Sequence, residues 1–345
     1  MLDLTYIQNN VSIIIPSRTI DFLLENCVAQ IRKLYNSAKI ILILDEYEES
    51  NCFSNMENIA IYKSVNRNMS AKRNLGVKNA DTKYIAFIDS DAYPTDNWLQ
   101  EAINFLEDNQ EFSAVTGFWY NFPDDNLEQI CLRLLRFSSL FTHSEWKIIT
   151  DPKAPAQECS MMPTSDVIMR KADYDKIGGM NEDIFLAEDN DLSERLKNNG
   201  GRIMYIPEVS IYHRESKFLP YFKKLYCMNY YYSNMFLKGK SVKSLSQITQ
   251  QFAPVAGIIF FLAFWILLSH LNINPYPLII LPLLVLVLIT VEAFILTKKL
   301  KKDKLKGFFI LLFGACIFCA VCVTGTALGL INFPSKDIKN YYRQY

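Results

Sequence analysis

Asp89 and Asp91 stand two positions apart at the end of an apolar run, in KYIAFIDSDAYP, residues 83–94. Side chains of an extended segment alternate, so these two carboxylates share one side while Ser90 points away. Acids that close repel each other unless something positive sits between them, and a divalent cation meets that need. Asp, Ser and Pro are also ordinary turn residues, so taken alone the segment reads more readily as a turn than as a metal site. A second acidic group, Glu188, Asp189 and Asp191, lies in AEDNDLSERL, 187–196, at or near a helix start. Acids there serve as caps, and one that faces a ligand can also act as a general base. Asp189 ranks ahead of Glu188 and Asp191 for that role. His213 closes an apolar stretch with Arg214 behind it. A lone His is commonly structural, but beside two carboxylates it would complete a site suited to Mg²⁺ or Mn²⁺. Lys72, Arg73 and Asn74, in NMSAKRNLGVKNA, are either surface polar groups or the donors that a diphosphate requires besides its metal.

The surrounding elements must bring these groups together. VSIIIPS (11–17), KIILILDE (39–46), Ile59 to Lys63 and YIAFI (84–88) read as strands. Helical spacing occupies Asp21 to Tyr35, Ser70 to Asn79 with Ser70 as cap, and about Asn97 to Glu107. Strands alternating with helices imply an α/β fold with a mostly parallel sheet covered on both faces. Ligands of such sheets bind outside the carboxyl ends of the strands. Pro16 to Arg18, Asp45, and Asp89 with Asp91 all stand at such ends. Phe112 to Phe122 reads as a further strand element, Asp151 to Met162 as a loop, and about Leu219 to Leu237 as a basic, Tyr-rich helix.

In order, IIIPSR, LILDE, AKRNLGVKNA, FIDSDAYPTDNWL, IGGMNE and AEDNDLSERLKNNGGRIMYIPEVSIYH resemble a family 2 glycosyltransferase with the Rossmann-like GT-A fold, over about residues 11–214. The resemblance implies that Asp89, Ser90 and Asp91 bind the sugar nucleotide and its Mn²⁺ or Mg²⁺, with His213 as a further metal ligand. It implies Asp189 as base with Glu188 beside it. Pro16, Ser17, Arg18 and Asp45 would border the nucleoside, and Arg73 and Asn74 its ribose or diphosphate. Two departures stand out. The usual Asp-Gly-Ser after the second strand is Glu46, Tyr47 and Glu48, which alters the expected base recognition. The Gln-x-x-Arg-Trp motif of processive synthases is absent, which points to transfer of a single sugar.

A formal net charge of zero hides a division. Residues 1–216 carry 33 acidic against 21 basic side chains, and residues 217–345 carry 3 against 15. The basic part also holds three nearly unbroken apolar runs, 252–271, 276–296 and 308–331, each of a length to span a membrane. The reading is a catalytic domain over 1–216, a basic interfacial segment over 217–250, a membrane domain over 251–331 and a tail from 332. Lys clusters before the first run and between the second and third place the N-terminal body in the cytoplasm of a multi-pass membrane protein. A re-entrant first run would reverse the side of the tail. The start of the chain shows neither the basic stretch nor the cleavage site of a secretory signal. Eight scattered cysteines lack the spacing of a disulfide framework.

The expected partners are a nucleotide-sugar donor, membrane lipids and a lipid-linked oligosaccharide or exopolysaccharide-precursor acceptor, with no nucleic acid. A polyprenyl-phosphate glycosyltransferase (dolichyl- or undecaprenyl-phosphate sugar synthase) and a non-catalytic sugar-nucleotide-binding membrane scaffold are the alternatives.

Overall fold

In this computed structural model the residues described are 2–47, 52–136, 138, 151, 153–237, 245–272, 274, 278 and 280–331. They divide into two compact units, the first within Met1–Pro123 and Ser144–Arg214, the second within Asp124–His143 and Glu215–Tyr341.

The first unit is built on an eight-stranded sheet. Its first half alternates as the sequence pattern requires: α1 (Leu4–Asn9), β1 (Val11–Pro16), α2 (Phe22–Leu34), β2 (Lys39–Leu44), β3 (Ile59–Lys63), α3 (Met69–Lys78) and β4 (Tyr84–Ile88). There follow β5 (Ala92–Pro94), α4 (Trp98–Asp108), β6 (Phe112–Thr116), β7 (Trp119–Asn121), β8 (Gln157–Cys159), β9 (Asp166–Arg170), α6 (Lys171–Lys176), α7 (Glu188–Asn198), β10 (Arg202–Tyr205) and β11 (Ile211–His213); α5 belongs to the second unit. The large sheet runs β3-β2-β1-β4-β9-β6-β10-β8. Only β9 and β8 oppose the common direction. Every residue of β1 and of β4 is buried, as unbroken apolar runs covered on both faces should be.

Local chemistry sets the helices that matter here. Asp21 caps α2 by accepting from the Leu24 amide at 3.0 Å. α3 is capped two residues earlier than the sequence suggests: Asn68 accepts from the Ser70 amide at 2.7 Å, so Ser70 is held by the cap and is not the cap itself. Gly76 lets α3 settle on β1, because a Cβ there would overlap the Ile14 side chain. That close seat carries Lys72 and Arg73 over the strand ends. A second, three-stranded sheet orders β5-β11-β7 and places His213 opposite Ala92.

The second unit is helical: α5 (Leu127–Arg136), α8 (Phe218–Leu237), α9 (Leu245–His270), α10 (Ile280–Thr297) and α11 (Lys304–Leu330). α5, to which the sequence reading gave no element, buries Cys131 and Leu135 with Ile289, Ala293, Leu296, Leu311 and Ala315. The basic, Tyr-rich α8, read as interfacial, packs one face along α11, burying Tyr221, Phe222, Cys227 and Tyr230. Gly325 permits that approach, since a Cβ there would stand 2.7 Å from the Tyr226 carbonyl.

Among the described residues one helix, Lys304–Leu330, is long and apolar enough to cross a membrane, with a mean hydropathy of 2.5. At 1.5 Å per residue it reaches roughly 40 Å. Ala256–His270 and Pro282–Thr297 are shorter apolar helices. Residues 275–277, at the start of the expected second span, lie outside the described residues, as do Glu48, Lys238, Lys240, Lys243 and the tail from 332.

Candidate active site

Asp89 follows the last residue of β4, and Asp91 stands just before β5. β11 runs antiparallel to β5 with His213 opposite Ala92, which brings the imidazole beside Asp91. The Arg214 amide fixes this junction by donating to the Asp91 carbonyl at 3.2 Å. One potential ligand atom from each of Asp89, Asp91 and His213 then lies within 4.8 Å of the others. His213 Nε2 is 3.7 Å from Asp89 Oδ2 and 3.8 Å from Asp91 Oδ1. Two carboxylates and an imidazole at those separations fit Mn²⁺ or Mg²⁺. The ring plane of His213 is set by Trp119 of β7, stacked on it at 4.9 Å and 7°.

Arg73, its side chain only 3% exposed, joins this cluster to the head of α7. Its Nη2 donates to Asp89 Oδ1 at 2.9 Å and its Nη1 to Glu188 Oε1 at 3.2 Å. Asp89 therefore offers one oxygen to the guanidinium and turns the other towards His213.

Ala187, which precedes α7, has φ +65°, a left-handed conformation unfavourable for a residue with a Cβ. That strained residue turns the chain so that Glu188 and Asp189 open the helix. Their neighbour Asp191 is held by Arg195 at 2.6 Å. Asp189 Oδ1 accepts from the Asn190 amide at 2.9 Å. Loss of solvent, and then the adjacent Glu188 carboxylate, push the Asp189 carboxyl well above the usual range.

The remaining residues selected from the sequence lie at separate places around this edge. Pro16, Ser17, Arg18 and Asp45 meet at the carboxyl ends of β1 and β2. The Ser17 amide donates to the Ile43 carbonyl at 2.9 Å, and the amides of Asp45 and Glu46 donate to the Arg18 carbonyl at 2.9 and 3.1 Å. Ser90 is half-buried between its two acids. Asn74 bonds to the 179–182 loop: its Oδ1 accepts from the Met180 amide at 2.9 Å and from the Tyr174 hydroxyl at 2.6 Å. Its Nδ2 donates to the Met180 carbonyl and to Glu182 Oε1. Lys72, at 1% exposure, pairs with Asp45 at 2.7 Å and donates to the Ser17 carbonyl at 2.6 Å.

Asp166, at the start of β9, was not singled out by sequence. It is fully buried, accepting from Trp98 Nε1 at 2.8 Å and from the Gly117 amide at 3.3 Å. Burial pushes its carboxyl up to about 7. The sign of the consequence is definite: the folded chain keeps a proton that the unfolded chain releases near pH 4, so folding stability declines as pH rises from about 4 to about 7. With chelator present, the denaturation midpoint of the wild type should fall between pH 5 and pH 8, and Asp166→Asn should reduce that fall. Equal pH dependence of the two proteins would contradict the assignment.

A mostly parallel α/β sheet thus carries paired acids, an imidazole and a helix-head carboxylate around its carboxyl edge. Residues 12–178 match Glycosyl transferase family 2, and the chain carries a domain of that family. Over 144 residues it is 25% identical to the pre-mycofactocin glycosyltransferase of Mycobacterium tuberculosis, covering 42% of this chain and 29% of that protein. Over 125 residues it is 25% identical to glycosyltransferase GlyA of Streptococcus pneumoniae, covering 34% and 18%. The matched regions thus span under a third of these relatives. Among solved structures, the mannosyltransferase PcManGT from Pyrobaculum calidifontis, in complex with GDP-Man and Mn²⁺, superposes with a TM-score of 0.59 at 13% identity. That match covers 96% of this chain and 90% of the other, and shows a shared fold.

Proposed function

We propose that this chain is a membrane-associated, metal-dependent, inverting glycosyltransferase. It moves one sugar from a nucleotide-sugar donor to a lipid-linked oligosaccharide or an exopolysaccharide precursor. The observation that carries this reading is the convergence of Asp89, Asp91 and His213 on one position at the carboxyl edge of the sheet. A bound Mn²⁺ or Mg²⁺ supplies Lewis-acid stabilisation of the nucleoside diphosphate leaving group. Asp89, Asp91 and His213 would hold that ion, and Arg73 fixes the orientation of Asp89. Asp189 accepts the proton of the attacking acceptor hydroxyl. Its raised proton affinity suits that task, because a general base works best when its pKa is near the operating pH. Glu188 and Asp191 are less suited, each being engaged by an arginine.

Support for the membrane comes from the second unit. Ile259, Phe260 and Ile266 of α9, Val287 and Leu288 of α10, and Phe309 and Phe313 of α11 all expose apolar surface. Contiguous apolar faces of this kind mark contact with lipid or protein. A lipid-linked acceptor explains why the catalytic unit is joined to such a surface. Three spans with a cytoplasmic catalytic unit remain the topology proposed.

The test incubates full-length protein in detergent with UDP-, GDP- and dTDP-sugars, Mn²⁺ and a lipid-linked acceptor, then assays extracted lipid for new sugar. Transfer from one donor family, falling at least about 100-fold in Asp91→Ala, is expected. Donor binding without turnover for every acceptor would instead indicate a scaffold.

A further inference from the structure

The turn that joins α10 to α11, with the first residues of α11, carries Lys298, Lys299, Lys301, Lys302, Lys304 and Lys306 against one acid, Asp303. All six lysines are exposed. Leu300, in their midst, is the exception: it is 5% exposed and packs in the cluster of Leu296, Leu311 and Cys131. A Cβ on Gly307 would overlap the Leu300 side chain, so glycine there lets the turn close on it. Asp303, at φ +52°, reverses the chain into α11, and its carbonyl accepts from the Gly307 amide at 2.8 Å. The buried leucine pins the turn while its charged neighbours face outward. Beside these charges the surface changes character. Phe294 and Ile295 near the end of α10, and Leu305 and Phe309 near the start of α11, are exposed apolar side chains. Lys298 holds its ammonium 4.9 Å from the centre of the Phe294 ring, so its stem follows apolar surface to a charged head.

Resting on the membrane part of the reading above, we propose that this turn is a binding site for anionic phospholipid. The lipid phosphate sits among the lysines and its acyl chains lie along the apolar collar. A crown of ammoniums beside apolar surface matches the two layers of an anionic leaflet, phosphates outside and hydrocarbon within. A nucleic acid or an acidic protein would satisfy the crown and leave the collar in water. Binding also sets the depth of the α10–α11 hairpin, because charged heads stop at the phosphate layer.

The experiment titrates short-chain phosphatidylglycerol, phosphatidylcholine with the same chains, and glycerol phosphate into full-length protein in detergent, with binding followed by thermophoresis. Phosphatidylglycerol should bind about tenfold or more tightly than either of the others. That preference should fade as salt rises from about 0.05 to about 0.5 M. Lys298→Gln, Lys299→Gln, Lys301→Gln and Lys302→Gln combined should bring the ratio to phosphatidylcholine within about threefold. The same loss of charge at Lys63, Lys78, Lys153 and Lys176, exposed in the first unit, should leave the ratio as in the wild type. If the combined turn variant does not melt cooperatively, Lys304→Gln with Lys306→Gln carries the test and should lower the ratio by about half or more. The inference is overturned if the wild type binds both lipids alike, or if glycerol phosphate binds as tightly as phosphatidylglycerol. It is also overturned if a folded turn variant keeps the wild-type ratio, or if the first-unit variant loses as much. A protein that stays dispersed in buffer without detergent would overturn the membrane reading, and this inference with it. Lipid binding as expected, with no sugar transfer in any assay, would reject the enzyme and support this site.

Discussion

Asp189→Asn should lower sugar transfer by about 10²–10⁴-fold while Mn²⁺ and nucleoside diphosphate bind as in the wild type. The substitution keeps the shape of the side chain and its hydrogen bond from the Asn190 amide. It removes only the capacity to take a proton from an acceptor hydroxyl. Because burial and Glu188 hold the native carboxyl above its usual range, the wild-type rate should climb with pH as Asp189 loses its proton. The Asn variant should lack that limb of the profile. The stability consequence has the opposite sense: above pH 7 the native protein carries an unfavourable charge at 189, and the neutral amide should melt no lower than wild type. Should transfer survive in Asp189→Asn, the acceptor is an anion that needs no base. That result would move the assignment to a polyprenyl-phosphate glycosyltransferase.

Arg73→Met should be the most destabilising change at the site. The guanidinium is enclosed, and its two carboxylate partners are 27% and 19% exposed. Removing one member of a buried ion pair costs about 3–5 kcal/mol, and the partial exposure of Asp89 and Glu188 places this case towards the lower figure. For a domain of about 150–250 residues, the size range of the first unit, about 3 kcal/mol corresponds to a fall in melting temperature of roughly 6–12 °C. The loss should shrink at pH 5 relative to pH 8, because acids left without their cation take up protons more readily. Arg73→Lys keeps one charge but cannot reach both acids with a planar fork, so it should fall between the two. A melting temperature unchanged in Arg73→Met would show that Asp89 and Glu188 do not depend on it.

The parts legible in the sequence are those fixed by local pattern. Apolar runs ending in Pro16, Asp45 and Asp89 gave the strands of the first half, and the rule for ligand placement in parallel sheets gave the edge. His213 could be nominated because it is a metal-type side chain closing a strand, and the structure brings it to Asp89 and Asp91. Trp119 could not, since its stacking on His213 follows from the parallel pairing of β7 with β11, two strands about 90 residues apart in the chain.

Lys72, Arg73 and Asn74 read alike in sequence as polar donors near a phosphate. Helical geometry sends them to three different places: Asp45 with Ser17, Asp89 with Glu188, and the 179–182 loop. Asp166 was hidden for another reason. A lone acid before an apolar run looks like a turn residue until the structure shows Trp98 and Gly117 donating to it. Helix α5 was missed because its apolar face is completed by residues far along the chain, Tyr221 and Phe222 of α8 and others in α10 and α11.

The most direct measurement is Mn²⁺ binding to the chelator-stripped, full-length protein, followed by electron paramagnetic resonance. One ion per chain should bind, its affinity should drop about tenfold or more in Asp91→Ala and in His213→Ala, and Asp189→Asn should bind as wild type. Mn²⁺ binding that is indifferent to both Asp91 and His213 would contradict a shared cation at this edge of the sheet.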